Sequence, residues 1–136
     1  FHHFAAPGCL PAHGRLVSVP TRVTPERRHA MTEALAAHGI DLLVLGSPWP
    51  ETFSYVAHEA MAAGTDLVAL ADGGNVPDAV RRHRGGVVLR DAEAAVRFFT
   101  SGAAIGLVRA REAAGRRRFA LERSGTTATV AIEAVP

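Results

Sequence analysis

The fold is decided by one stretch: Asp41-Leu-Leu-Val-Leu45, then Gly46-Ser-Pro-Trp-Pro-Glu51, Thr52 to Ala63, Gly64, and Leu67-Val-Ala-Leu-Ala71. The first apolar run reads as a strand buried on both faces of a parallel sheet. A loop with two prolines follows it. A helix is expected from about Thr52 to Ala63, ended by Gly64, and a second buried strand comes next. Strand, helix and strand joined by short connections make a βαβ unit, which crosses over right-handed and leaves its strands parallel.

The same alternation extends outward. Upstream, Leu16 to Val19 is a short strand. Thr24-Pro25-Glu26 has the chemistry of a helix start: a threonine cap, a proline at the first helical position and an acid in the first turn. Ala30, Met31, Ala34 and Leu35 recur at helical spacing, and Gly39 suits the position just past the helix. Downstream, Gly73-Gly74 is a tight turn, and Asn75 with Asp78 resembles a capping box. Val87 to Leu89 is a third strand, and Asp91 caps a helix through Phe99. Ala103 to Ala114 reads as a helix ended by Gly115, and Thr127 to Ile132 alternates like a strand. The expected organisation is an irregular lead-in or cloning remnant over residues 1–14, a Rossmann-like segment over 15–100, and a C-terminal helix with a terminal strand over 101–136. The fold class is α/β: a Rossmann-like parallel sheet with flanking helices.

Composition narrows the chemistry. The chain has 136 residues, and all 15 basic ones are arginine; with 13 acids the net charge is +2. Without lysine there is no Walker-type phosphate loop and no Schiff-base catalysis. Arginine without lysine, together with abundant alanine, also fits GC-rich coding. Cys9 is the single cysteine, so no internal disulfide forms and a reducing, cytoplasmic setting is expected. No apolar run reaches the roughly 18–20 residues of a membrane span. No Gly-x-Gly-x-x-Gly follows a strand, which disfavours a dinucleotide fold. A phosphoacceptor receiver domain has a similar layout but typically uses a lysine near its last strand. The chain opens on Phe1 rather than Met, so a piece of a longer protein is expected.

Ligands of open parallel sheets bind beyond the carboxyl ends of the strands. Two such ends stand out here, Gly46 to Ser54 and Asp72 to Asn75. Each leads into a helix N-terminus, where amides and the helix dipole favour an anion. Two of them side by side could hold a diphosphate without lysine. With Glu51 just before the helix and Glu59 within it, the two carboxylates stand about 12 Å apart along the axis, at about 1.5 Å per residue. That is too far for the paired carboxylates of glycoside hydrolysis, which need about 5–9.5 Å. The spacing suits two ends of one extended ligand, with carboxylates accepting from paired sugar hydroxyls. On spacing alone an exposed first-turn acid and a solvated helix residue fit better.

The segment Ser47-Pro-Trp-Pro-Glu51-Thr-Phe-Ser-Tyr-Val-Ala-His-Glu59-Ala-Met-Ala-Ala-Gly64 resembles the donor-binding signature of the retaining glycosyltransferases of GT-B fold. That signature has a serine-proline loop, a glutamate, an aromatic, a second glutamate eight positions on, and Ala-Met-Ala-x-Gly. The likeness continues through Asp66 to Leu70 and Gly73 to Val80, and fades after Asp91. The chain as a whole resembles the last half of a GT-B C-terminal, donor-binding domain. The resemblance implies that Glu51, as the catalytic-site residue, contacts hydroxyls of the transferred sugar. It implies that amides around Thr52, Phe53 and Ser54 meet the diphosphate, that Glu59 binds the ribose hydroxyls, and that Gly73 and Gly74 let the backbone pass close to the donor. Family members often have glycine where Ser54 stands. The implied activity is hexosyl transfer from a nucleotide sugar with retention of configuration, as in polysaccharide biosynthesis, with no cofactor and no metal. The implied partners are the nucleotide sugar, a carbohydrate or lipid-linked acceptor, and an N-terminal domain of the same parent, with peripheral contact at the inner face of a membrane. The basic pair that grips the diphosphate normally lies upstream; Arg15, Arg22, Arg27 and Arg28 carry no motif that marks them for that role. Alone, the chain is expected to be inactive. The alternative is a non-catalytic glycosyltransferase-like module that binds a sugar nucleotide or a protein partner.

Other residues admit sharp and plain readings. Trp49 between two prolines either stacks on a donor or acceptor ring or packs over the sheet edge. His58 reads as a helix-surface residue. His2, His3, Cys9 and His13 match no established metal-ligand spacing, so no metal is expected. Arg81, Arg82 and Arg84 around His83, and the run Arg116 to Arg118, suggest nucleic acid or an anionic membrane. With interspersed acids and aromatics at 6%, a solvated face fits better and no nucleic-acid partner is expected.

Overall fold

The apolar runs and helix signals of the sequence become an alternation of strands and helices in a computed structural model that describes residues 1–5, 14–46, 49–115, 119–123 and 128–132. The elements are β1 (His2–Ala5), β2 (Val17–Pro20), α1 (Ala30–Ala37), β3 (Leu42–Leu45), α2 (Tyr55–Ala62), β4 (Asp66–Leu70), α3 (Asn75–His83), β5 (Gly86–Leu89), α4 (Ala92–Thr100), α5 (Ala103–Ala114), β6 (Phe119–Arg123) and β7 (Ala128–Ile132). The fold is α/β and Rossmann-like, with parallel sheets flanked by five helices.

Strands β3, β4 and β5 form one parallel sheet in that order. Leu43 lies opposite Leu67 and Val44 opposite Val68; Val68 then pairs Val87. Strands β1 and β2 form a second parallel pair, with His2 opposite Val17. Strands β6 and β7 pair antiparallel, and this hairpin lies against α2. The strand at β1 falls in the stretch read as an irregular lead-in, and β6 was not legible either.

Apolar residues at strand and helix periods meet in one cluster of Met31, Leu35, Ala57, Ala60, Met61, Leu67, Ala69, Val76 and Val80. These belong to α1, α2, α3 and one face of β4. Val68 points to the opposite face because side chains alternate along a strand, and it too is buried. Strand β4 is therefore covered on both faces, as the continuous apolar run requires. Strand β3 is not. It is half-buried, with Val44 53% exposed, and among the described residues it pairs with a strand on one side only. The expectation of burial on both faces holds for β4 and fails for β3.

Side-chain caps start α2 and α4. The Asp91 carboxylate accepts from the Ala94 amide at 2.8 Å, capping α4 as read. Gly39 and Gly64 stand just past α1 and α2, where the sequence put them. The threonine cap at Thr24 forms, but only as an isolated turn: its hydroxyl accepts from Arg27 at 3.2 Å, and α1 begins later, at Ala30. Helix α5 is tied to the start of β4 by Arg111, whose Nε donates to Asp66 Oδ2 at 2.8 Å. A second guanidinium nitrogen of Arg111 donates to the Arg84 carbonyl, so one side chain joins α5, β4 and the end of α3. Among the described residues no helix is long and apolar enough to cross a membrane.

Candidate functional site

The carboxyl edge of the β3–β4–β5 sheet carries two loops, one after β3 and one after β4, and they are joined to each other through the backbone. The Asn75 amide donates to the Glu51 carbonyl at 2.8 Å, and the Glu51 amide donates to the Gly73 carbonyl at 3.4 Å. Glu51 and Gly74 thereby form a short parallel bridge. Gly74 adopts φ +70, and a Cβ there would collide with the Glu51 carbonyl oxygen. Only glycine meets both demands, the left-handed backbone and the close approach. The tight turn read at Gly73-Gly74 is thus explained by loop-to-loop contact. Asn75 adds a third tie, its side-chain nitrogen donating to the Thr52 carbonyl at 2.6 Å. That bond corrects the capping reading of Asn75: α3 starts at Asn75 itself, with Gly74 as its cap residue and no side-chain cap.

Helix α2 begins three residues later than the sequence suggested. Ser54, 7% exposed, is its cap, and its hydroxyl accepts from the Ala57 amide at 3.3 Å. Ser54 therefore has a structural task, holding the start of α2. Thr52 and Phe53 precede the helix, so Glu51 sits four residues before its first turn rather than immediately before it. Phe53 stacks on the His58 ring, with centroids 4.6 Å apart and planes 13° apart, and meets Tyr55 edge-on at 4.9 Å. His58 Nδ1 lies 2.7 Å from the Ser54 carbonyl. His58 is thus a half-buried residue of the α2 surface that fixes the loop.

A cavity of about 190 Å³ opens between α2 and α3, lined by Thr52, Phe53, Ser54, His58, Asn75 and His83 among others. It gathers three of the expected diphosphate-side residues. Glu51, Glu59, Gly73 and Gly74 are not among its described lining residues. Glu51 is half-buried in the joined loops. Glu59 is 2% exposed, one turn further along α2, and its carbonyl accepts from the Thr32 hydroxyl of α1 at 3.2 Å. The reading of Glu59 as a solvated helix residue is excluded by that burial. The two glutamates are therefore not brought together in one open pocket.

The sequence reading missed the α3 side of this cavity. Asn75, Asp78, Ala79, Arg82 and His83 recur at helical spacing and all line it, a periodicity visible in the sequence but masked by the arginine-rich composition. Burial holds His83 below the usual histidine range, with His58 and the Arg82 guanidinium adding repulsion. Arg81 is an exposed partner of Asp78 at 2.9 Å, as a solvated face requires. Trp49 is 68% exposed, so it does not pack over the sheet edge. His2 meets His38 at 5.1 Å between ring centroids, an aromatic contact. Among the described residues no group of three histidine, cysteine or acidic residues could hold a metal. Cys9, His13, Ser47, Pro48 and Arg116 to Arg118 lie outside the described residues.

Comparison with known protein families, with curated proteins and with solved structures finds no match to this chain.

Proposed function

We propose that this chain is the donor-side segment of a retaining glycosyltransferase of GT-B type, which moves a hexosyl group from a nucleotide sugar to a carbohydrate or lipid-linked acceptor. The observation that carries the reading is the convergence of the two loops at the carboxyl edge. Bonds from Asn75 to Glu51 and Thr52 bring the starts of α2 and α3 side by side. Two helix N-termini together favour a diphosphate, and they do so without lysine. In this reading Glu51 meets the sugar hydroxyls at the loop junction. Amides around Thr52, Phe53 and Ser54 face the diphosphate, Glu59 takes the ribose, and Gly73 and Gly74 hold the backbone close. The chemistry is electrostatic: the departing diphosphate is stabilised while the acceptor is held in line. The acceptor side belongs to a second domain of the parent, acting in the cytoplasm or at the inner face of a membrane.

The test is nucleotide binding followed by thermal shift, since a ligand of the native state alone must stabilise it. One of uridine, guanosine or adenosine diphosphate is expected to raise the melting temperature of the parent. Glu59→Gln, which keeps the side-chain volume, is expected to weaken that ligand about 10- to 100-fold, the worth of about 1.5–3 kcal/mol for hydrogen bonds to a charged group. Unchanged affinity in Glu59→Gln overturns the ribose role. The 136-residue chain alone is expected to show no transfer, and turnover by it overturns the division of labour.

The burial of Glu59 at 2% exposure favours a second reading, a glycosyltransferase-like module without turnover. Sugar transfer by the parent separates the two.

A further inference from the structure

The cavity between α2 and α3 holds more positive charge than its surroundings answer. Arg82 lines it and, among the described residues, forms no salt bridge, whereas Arg27, Arg81, Arg90, Arg97 and Arg111 each do. His58 lines it from α2 and His83 from α3, so basic groups stand on both walls. The acid of the described lining is Asp78, and its Oδ1 already accepts from Arg81 at 2.9 Å. That pair cancels and the charge of Arg82 is left over. The proton of His83 feels the imbalance. Burial holds its pKa low, and His58 and Arg82 push it the same way. An anion beside these groups has the opposite effect and favours the charged imidazole.

Position and size narrow the anion. Asn75, Asp78, Ala79 and Arg82 follow one face of α3, and Cα–Cβ bonds tilt toward a helix N-terminus. The Arg82 side chain therefore leans toward the end of the cavity where Thr52 and Ser54 lie. Glu51 and Glu59 are not in the described lining, so neither carboxylate opposes an anion there. At about 190 Å³ the space is smaller than the roughly 300–1,000 Å³ that encloses a whole small-molecule ligand. It suits one charged group of a ligand. The planar fork of an arginine matches the oxygens of a phosphate, a task that needs no lysine.

We propose that this cavity binds a phosphoryl dianion, with Arg82 as its charged ligand and His58 and His83 as its hydrogen-bond partners. His58 Nδ1 lies 2.7 Å from the Ser54 carbonyl, which can only accept, so Nδ1 carries a proton. Its Nε2 then donates to an anion only in the imidazolium form, and binding is coupled to proton uptake. The groups that face the histidines from α3 are Arg82 and Asp78; β5, packed against α3, has no titratable residue, and Asp66 of β4 is held by Arg111. The phosphoryl group belongs either to a nucleotide or to a phosphate bound by itself. The site does not rest on the glycosyltransferase reading, in which Arg82, His58 and His83 have no part.

The test titrates inorganic phosphate into the full 136-residue chain at about pH 6.5 and constant ionic strength, with chloride as the control anion. The ring protons of His58 and His83 are followed by NMR. A saturable shift of both signals is expected with phosphate and not with chloride, and the His83 midpoint is expected to rise. Arg82→Gln is expected to weaken phosphate about ten-fold or more. Arg109→Gln removes the same charge from an exposed position of α5 outside the cavity, and is expected to change affinity less than about two-fold. Absence of a saturable shift overturns the proposal. Equal weakening by the two variants also overturns it, since it marks general attraction to a basic chain. Uridine, guanosine and adenosine diphosphate are then added to the phosphate-saturated chain. Displacement that depends on Arg82 supports the site with a nucleotide as the source, and simultaneous binding supports it with free phosphate. A parent that binds phosphate through Arg82 but binds none of the three nucleotides overturns the glycosyltransferase reading and supports this site.

Discussion

Strands β3 and β4 are made of nearly the same residues, Leu-Leu-Val-Leu against Asp-Leu-Val-Ala-Leu, and are paired with each other along their length. Their environments are nevertheless opposite. In β4, Leu67, Val68 and Ala69 are 0–1% exposed, whereas Val44 of β3 is 53% exposed. The difference comes from neighbours: among the described residues β4 pairs with a strand on each side, while β3 pairs with one strand and borders a cavity. An apolar run encodes the capacity to be buried. Whether it is buried depends on what else is beside it.

Truncation should expose this contrast most sharply. Leu67→Ala removes a fully buried side chain from the cluster beneath α2 and α3, and a loss of about 2–5 kcal/mol is expected in urea unfolding. Val44→Ala, one position from the register partner of Leu67, is expected to change stability by about 0.5 kcal/mol or less. Equal losses at the two positions would mean that β3 is as enclosed as β4.

The same contrast governs what the sequence made legible. The βαβαβ spacing from Asp41 to Leu89 was readable because each strand is followed by its own helix signals and each helix by its own stop. Gly39, Gly64, Asp91 and Gly115 act locally, through backbone angles and caps, so their effects survive ignorance of the tertiary fold. Strand β1 was not readable because His2-His-Phe-Ala5 has no apolar run and no alternation; its pairing with β2 decides it. The half-exposure of β3 was hidden for the reason just given. At the site, Glu51 and Gly74 were each singled out from the sequence, but their direct contact was not legible, because it joins loops that follow different strands. Asn75 looked like a cap since asparagine commonly is one. Its amide instead reaches Thr52, a bond that nothing in the local sequence announces.

The two helix starts at the site offer a smaller contrast. Helix α2 depends on the buried hydroxyl of Ser54, while α3 starts on a glycine and its asparagine side chain spans to the other loop. Ser54→Ala is expected to cost about 1 kcal/mol in unfolding free energy, the usual worth of a lost cap. Asn75→Ala removes an exposed bond and is expected to cost about 0.5–1 kcal/mol. Hydrogen exchange separates them further. Ser54→Ala should speed exchange in the first turn of α2 alone, whereas Asn75→Ala should speed it in both loops. Confinement of both effects to one loop would mean that the loops move independently.

The smallest expected effect concerns acid. Burial, helped by His58 across the cavity and Arg82 beside it, holds His83 below the ordinary histidine range. In the unfolded chain the group titrates near pH 6.5. As pH falls through that value the unfolded chain takes up a proton that the folded chain resists, so this share of stability is present above about pH 6.5 and lost below it. His83→Gln removes the titrating group but leaves the arginines and His58 in place. The drop in urea midpoint between pH 8 and pH 5 is therefore expected to be smaller in His83→Gln than in the parent chain, with the two midpoints closest at the alkaline end, where His83 is neutral. An identical drop in both proteins would mean that His83 is as well hydrated as the exposed histidines of β1, and that the cavity between α2 and α3 exerts no pull on its proton.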